Sequence, residues 1–129
     1  MNKTLLIWGS ILGILGIILG AFAAHGLERL VAKDAVESFE TGVRYQMYHA
    51  FFLLIVGGSN FISVKFKKQI LLLVLFGILF FSFSIYGLAT NSLTSFDFKS
   101  IAFITPIGGL LLIIAWILLL IAVLKIKRD

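Results

Sequence analysis

Long uncharged apolar runs are the feature that most constrains how this chain can fold. Residues 4–24, 70–89 and 101–124 each form a run of 20 residues or more without a charged side chain. About 20 helical residues are enough to cross a hydrocarbon core of roughly 30 Å. These runs therefore predict three transmembrane helices, with lipid as the solvent for most of the surface.

A fourth span is predicted between them, although its apolar run is short. Residues 50–64 contain no charge but number only 15, so the helix must begin near Tyr45 and carry His49 into the membrane. The predicted fold is an all-α, single-domain membrane four-helix bundle over residues 1–129. Its predicted spans are about 4–25, 45–64, 70–89 and 101–124.

Composition excludes several classes of protein and site. Charged residues make up 13% of the chain and the mean hydropathy is +1.11, far from the usual balance of soluble domains. Cysteine is absent, which excludes disulfides and thiolate metal sites. The net charge of +5 does not indicate nucleic-acid binding, because the basic residues are concentrated in short segments that flank the apolar runs.

Charge placement predicts the orientation. Four spans put both termini and the 65–69 loop on one side, where the sequence has seven basic residues: Lys3, Lys65, Lys67, Lys68, Lys125, Lys127 and Arg128. The other side has four, and five acidic residues accompany them. The positive-inside rule then predicts a multi-pass protein of the cell inner (plasma) membrane with both termini in the cytoplasm. The lysines of the 65–69 loop also suit anionic lipid head groups.

Segment 27–44 is the only sizeable piece predicted outside the membrane. Its apolar residues recur at every fourth position from Leu27 to Met47, which favours an amphipathic helix. Glu40 and Arg44 have a favourable i,i+4 spacing on another face. We expect this helix to lie at the outer surface or to continue into the second span, with a solvated connector as the alternative.

The first run has two interpretations. Met1-Asn-Lys, the apolar segment and Ala21-Phe-Ala23 resemble a cleavable secretory signal. However, small residues recur on one face of the same run, which favours a retained helix that packs closely against a neighbour. The predicted packing glycines are Gly9, Gly13, Gly16 and Gly20 in this run and Gly108 and Gly109 in the last one.

Polar residues of all four predicted spans fall at one depth, near the outer side. We call them the outer polar cluster: His25, Glu40, Arg44, Tyr45, Gln46, Tyr48, His49, Ser82, Ser84, Tyr86, Thr105 and Pro106. Polar groups in hydrocarbon are costly unless they find partners, so these residues are candidates for a common site.

Each member of the outer polar cluster also has a purely structural explanation. Tyrosines are typical of the aromatic belt, and serines can bond to carbonyls of their own helix. Thr105 is a candidate N-cap for a helix that begins at Pro106. His25 and His49 suit metal, haem or proton relay in principle, but they lack the spacing of a paired ligand motif, so interhelical hydrogen bonding is favoured. We predict no metal site, no cofactor and no catalytic residues.

Four blocks of the sequence resemble a known family of small membrane proteins. The blocks are Gly20-Ala-Phe-Ala-Ala-His-Gly-Leu27, Phe39-Glu-Thr-Gly-Val-Arg-Tyr-Gln-Met-Tyr-His-Ala50, Phe81-Ser-Phe-Ser-Ile-Tyr86 and Ile104-Thr-Pro-Ile-Gly-Gly-Leu110. They resemble the domain-of-unknown-function family 423 of bacteria, known in animals as transmembrane protein 256. Ala24 and Phe83 depart from it, because many members have glycine there. The resemblance implies a four-span bacterial inner-membrane protein and supplies no catalytic residues.

Three functions remain open at this stage. The favoured hypothesis is a non-enzymatic bundle whose polar residues hold the helices together or dock a lipid or a membrane-protein partner. The second is a carrier or channel for a small solute or ion, which needs a homo-oligomer formed through the glycine face of the first span. The third is a membrane enzyme that uses His25 and His49 with a metal, haem or quinone.

Overall fold

Helices form the regular structure of the part of the chain that the structure describes. The computed structural model describes residues 1–127. Its helices are α1 Lys3–His25, α2 Lys33–Gly58, α3 Val64–Ile78, α4 Ser84–Ala89 and α5 Ile104–Leu124. A π-helical turn, Leu79–Phe83, joins α3 to α4, so that Val64–Ala89 is long and apolar enough to span a membrane as one element. The all-α membrane bundle predicted from the sequence is confirmed.

Capping side chains explain where two of the helices begin. The side chain of Asn2 accepts a hydrogen bond from the backbone N–H of Leu5 at 3.2 Å, and Ser63 accepts one from Phe66 at 3.3 Å. The lysines 65, 67 and 68 therefore lie in the first turns of α3, and the connecting loop is 59–63. The third helix thus begins six residues before the predicted start of its span at Ile70.

The start of α5 corrects a prediction about its cap. The helix begins at Ile104, so Thr105 is its second residue and not its N-cap. Thr105 instead directs its hydroxyl to Ser84 on α4. Pro106 lies in the first turn, where its missing N–H removes no intrahelical hydrogen bond.

The second helix unites two predicted segments. Residues 27–29 form a short 3-10 turn, while residues 33–44 run without interruption into the predicted second span as part of α2. A separate amphipathic helix is therefore absent between 27 and 44, and the expectation of a continuous helix is confirmed. By length and hydropathy, Lys3–Arg29, Val64–Ala89 and Ile104–Leu124 are long and apolar enough to cross a membrane. That α2 also crosses stays a prediction.

The helices pack as two pairs that meet at α2. Helix α1 packs along α2, and α3 with its π-helical turn packs along α5, while α2 also contacts α3, the π-helical turn and α4. One buried core contains residues of α1, α2, α3 and α5, among them Leu5, Leu53, Ile70 and Leu112. A smaller core around Leu27 lies where the loop after α1 meets the first turns of α2 and the end of α4.

Most of the predicted packing glycines lie at helix contacts. A methyl group on Gly9 would approach Leu54 of α2 to 2.9 Å, and methyl groups on Gly16 and Gly20 would meet Met47 and Val43 of the same helix. Gly13 has no atom within 4 Å of that position, so it does not belong to the packed face. Gly108 lies directly against the backbone of the π-helical turn. Arg128, which contributed to the predicted orientation, lies outside the described residues.

Candidate functional site

The structure divides the outer polar cluster into an inner and an outer group. Gln46, His49, Ser82 and Ser84 are buried, and Tyr86 and Thr105 are half-buried beside them. The other six members are exposed: His25, Glu40, Arg44, Tyr45, Tyr48 and Pro106. The inner group makes several separate hydrogen-bonded connections between helices. That the whole cluster lies at one depth in the membrane stays a prediction.

Gln46 is the central member of the inner group and is fully buried. Its amide nitrogen donates to the carbonyl of Leu12 on α1 at 2.8 Å, and its amide oxygen accepts from the hydroxyl of Tyr86 on α4 at 2.6 Å. Gly16 of α1 allows the close approach of α2 beside Gln46, because a Cβ atom there would clash with the sulfur of Met47. One side chain thus ties α1, α2 and α4 together.

Gly42 allows α4 to approach α2 closely, one turn before Gln46. Ser82 donates to the carbonyl of Gly42 at 2.8 Å. A methyl group at Gly42 would lie 2.7 Å from the ring of Tyr86, so the absence of a side chain there lets the ring cover the helix backbone. Phe39 packs on the same ring, with 4.6 Å between the ring centroids.

A second polar connection joins α4 to α5. Ser84 Oγ lies 2.6 Å from the carbonyl of Phe80 and 3.0 Å from that of Phe81, both within the π-helical turn. It also lies 2.6 Å from Thr105 Oγ1. Since the single hydroxyl proton of Ser84 is directed to carbonyl acceptors, Thr105 is the donor between the two hydroxyls.

His49 connects α2 to α5 and has both ring nitrogens engaged. Nδ1 lies 2.6 Å from the carbonyl of Tyr45, and Nε2 accepts from the indole N–H of Trp116 at 3.1 Å. Because an indole N–H can only donate, Nε2 carries the lone pair and Nδ1 carries the proton. His49 is therefore a neutral imidazole without a lone pair left for a metal in this arrangement.

The side chains of the exposed members make no hydrogen bond to the inner group; of these six residues, Tyr45 contributes only its backbone carbonyl, to His49. Arg44 donates to Thr41 on its own helix at 2.9 Å, and His25 ends α1 on an exposed face. Among residues 1–127, no group of three or more histidine, cysteine or acidic side chains is arranged to hold a metal ion. In the same range, every buried side-chain nitrogen or oxygen has a hydrogen-bond partner.

Two residues outside the predicted cluster are essential to this arrangement. Trp116 supplies the partner of His49, and its ring packs on Phe52 at a centroid distance of 4.4 Å. Trp116 lies in an uncharged run, where an aromatic side chain is usually taken to face lipid. The signal that could have identified it is its indole N–H, which needs a hydrogen-bond acceptor in hydrocarbon. Gly42 was missed because it falls outside the glycine pattern of the first span.

Lys67 corrects another prediction. It was expected in a loop where it would contact head groups, but only 4% of its surface is exposed. Its ammonium group donates to the carbonyl of Ser59 at 2.5 Å and lies 3.4 Å from that of Gly57. Both carbonyls lie at the end of α2, where orphan carbonyls and the helix dipole favour a cation. Lys67 thus caps α2.

Comparisons with known proteins agree with this architecture. Residues 19–109 match the family described as "Protein of unknown function (DUF423)". A UPF0382 membrane protein of Staphylococcus epidermidis is 39% identical over 126 residues, covering 95% of this chain and 97% of its own length. A UPF0382 membrane protein of Haemophilus influenzae is 41% identical over 105 residues, 81% of each chain.

A relative in Escherichia coli K12 is named UPF0382 inner membrane protein YgdD, and it is 33% identical over 130 residues, 99% of this chain and 95% of its own. No solved structure matches the chain. The family match covers Gln46, His49, Ser82, Ser84, Tyr86 and Thr105, whereas their partners Leu12 and Trp116 lie outside it. The chain is an integral membrane protein and belongs to the DUF423 family.

Proposed function

We propose that the protein is a non-enzymatic membrane bundle whose buried polar residues fix the helices, so that its surface can bind a membrane component such as a lipid or another membrane protein. The observation that carries this proposal is the complete internal use of the polar groups. Gln46, His49 and Ser84 each bond to a different helix or to their own backbone, and no buried polar side-chain atom in residues 1–127 is left for a substrate.

The other two hypotheses receive less support from the contacts. Catalysis by His25 and His49 would need a free nitrogen on His49, and both nitrogens are engaged. An oligomeric carrier was expected to assemble through the glycines of α1. Gly9, Gly16 and Gly20 pack against α2 of the same chain, so α2 would have to move away before a second chain could pack on that face.

We further propose that the protein lies in the inner membrane with both termini in the cytoplasm. The end of the bundle that holds Met1, the 59–63 loop and residues 125–127 carries six lysines and no acidic residue within the described chain. The opposite end mixes both signs. This asymmetry supports the orientation by the positive-inside rule, and the printed name of the E. coli relative supports the membrane.

The matched substitutions His49→Ala and His25→Ala test the proposal. His49→Ala leaves the Trp116 indole without its acceptor, so we expect the free energy of unfolding in detergent to fall by about 2 kcal/mol. His25→Ala removes an exposed side chain, and we expect no measurable change. The measurement is thermal or denaturant unfolding of the purified proteins.

Metal analysis and an absorption spectrum of the gently extracted wild-type protein complete the test. The proposal predicts neither a stoichiometric metal nor a visible chromophore. A bound metal or haem that disappears in both histidine variants, while both remain as stable as the wild type, would overturn it in favour of a redox or metal-dependent enzyme.

A further inference from the structure

An open groove runs between α1 and α3, two helices that hardly touch each other. Its main part has a volume of about 390 Å³, within the usual range of ligand pockets. The lining is apolar, and it includes Trp8, Ile11, Leu12 and Leu15 of α1 and Leu72 and Phe76 of α3. Its lining residues are spread along both helices, from Trp8 to Leu15 on α1 and from Leu72 to Ile78 on α3.

The groove has a closed floor and open walls. Leu12 and Ile78 form the floor and are 5% and 1% exposed. The wall residues Trp8, Phe76 and Leu79 are between 38% and 50% exposed. A groove of this kind accepts a slender apolar ligand from the side, and Phe83 marks its end toward the outer side.

A second cavity continues the groove toward the lysine-rich end of the bundle. It has a volume of about 250 Å³ and is lined by Asn2, Thr4, Leu5, Val64, Lys68 and Leu71. Leu5 and Leu71 lie one turn or less from the first groove residues of their helices, Trp8 and Leu72. The apolar groove thus adjoins a cavity in which three polar side chains, Asn2, Thr4 and the exposed Lys68, lie beside apolar ones.

The length of the combined groove matches one leaflet. From Thr4 to Leu15 the groove follows α1 for about 17 Å at the usual helical rise. Half of a typical hydrocarbon core is about 15 Å. A lipid whose chain occupies the apolar part would therefore place its head group beside Lys68.

We infer that this groove binds an anionic phospholipid, with one acyl chain between α1 and α3 and the phosphate beside Lys68. Lys3 and Lys65 are exposed at the same end of these helices, and the chain has no acidic residue between 41 and 96 to compete for the lysines. The inference deepens the proposed function by naming a ligand, and it rests on that function in treating the bundle as a binding protein.

Charge argues for a lipid over a second copy of the chain. Two copies in one membrane share an orientation, so a second α1 or α3 in the groove would bring its own lysines beside Lys3, Lys65 and Lys68. Repulsion between these lysines opposes association of two copies, whereas an anionic head group neutralises the charge of the lysines.

Native mass spectrometry of the full chain in detergent tests the inference with phosphatidylglycerol and phosphatidylcholine of identical acyl chains. We expect phosphatidylglycerol to bind the wild type about fivefold more tightly, and Lys68→Gln to remove most of that preference. Lys127→Gln makes the same charge change at the same end, outside both cavities, and should leave the preference intact.

A second pair of variants tests the acyl-chain part. Ile11→Trp fills the groove and should weaken binding of both lipids, whereas Ile14→Trp enlarges an exposed residue of the same helix and should not. Leu72→Trp fills the groove from α3 and replaces Ile11→Trp if that variant fails to fold by circular dichroism.

Three results would overturn the inference: equal affinity for the two lipids in the wild type, equal losses from Lys68→Gln and Lys127→Gln, or wild-type lipid binding by a folded groove-filling variant. None of them affects the histidine test, so failure of the groove and failure of the proposed function are distinguishable.

Discussion

At the scale of single residues, the buried amide of Gln46 is the most informative group. It accepts from Tyr86 and donates to α1, so removing either partner leaves the other with an unmet hydrogen bond. We predict that Tyr86→Phe lowers the free energy of unfolding by about 1 kcal/mol in the wild type and by much less in a Gln46→Leu background. A double-mutant cycle measured by unfolding in detergent gives this coupling.

The control for the cycle pairs Gln46→Leu with Thr105→Val. Thr105 belongs to the separate connection through Ser84, so these two effects should add. Equal coupling in both cycles would indicate that the substitutions loosen the whole bundle and do not report on a specific bond.

At the scale of helices, the contact between α5 and the π-helical turn depends on one of two adjacent glycines. A Cβ atom on Gly108 would lie 2.7 Å from the carbonyl carbon of Phe80, whereas one on Gly109 would come no closer than 3.6 Å to any neighbour. We predict that Gly108→Ala lowers the free energy of unfolding by about 2 kcal/mol, because backbone cannot yield as a flexible side chain can. Gly109→Ala should change it by less than about 0.5 kcal/mol.

Thermal unfolding of the two purified variants checks this prediction. The two substitutions are chemically identical and adjacent in sequence, so a difference between them reports on packing alone. Similar stabilities for Gly108→Ala and Gly109→Ala would mean that α5 does not lie as close to the π-helical turn as described.

At the scale of the whole molecule, the predicted topology has four spans with both termini on the cytoplasmic side, and it can be tested by labelling. The chain contains no cysteine, so single substitutions can be labelled without background. We predict that Ala32→Cys and Ser95→Cys react with a membrane-impermeant maleimide in intact cells. Ser63→Cys and Lys127→Cys should react only after the membrane is permeabilised.

This pattern would also establish that α2 crosses the membrane, because residues 32 and 63 flank it. Labelling of Ala32→Cys and Ser63→Cys from the same side would instead place α2 at the surface and contradict the four-span prediction.

The all-α membrane fold could be predicted because the apolar runs, and the lysines that flank them, can be read directly along the sequence. It predicted α1 almost to the residue, and it singled out polar residues that bond between helices: Gln46, His49, Ser82, Ser84, Tyr86 and Thr105. That they share one depth in the membrane stays a prediction. Depth follows from counting residues along a helix, which requires no knowledge of how the helices are rotated.

Partners could not be predicted in the same way, because they depend on rotation and on close approach. Nothing local distinguishes Gln46, which faces two helices, from Tyr48, which faces outward. Lys67 was placed in a loop because the apolar run begins at Ile70, whereas the Ser63 cap starts the helix earlier and turns this lysine inward. The π-helical turn also has no periodic signature in the sequence.

The cap on α2 has a consequence for how the protein is assembled during synthesis. The carbonyl of Gly57 accepts from the backbone N–H of Asn2 at 2.8 Å, and the neighbouring carbonyl of Ser59 is closed by Lys67, which the ribosome adds eight residues later. The first two helices can pair as soon as they emerge, but the end of α2 stays open until the next helix has arrived. The capping of α2 is therefore complete only when the first turns of α3 have been synthesised and folded.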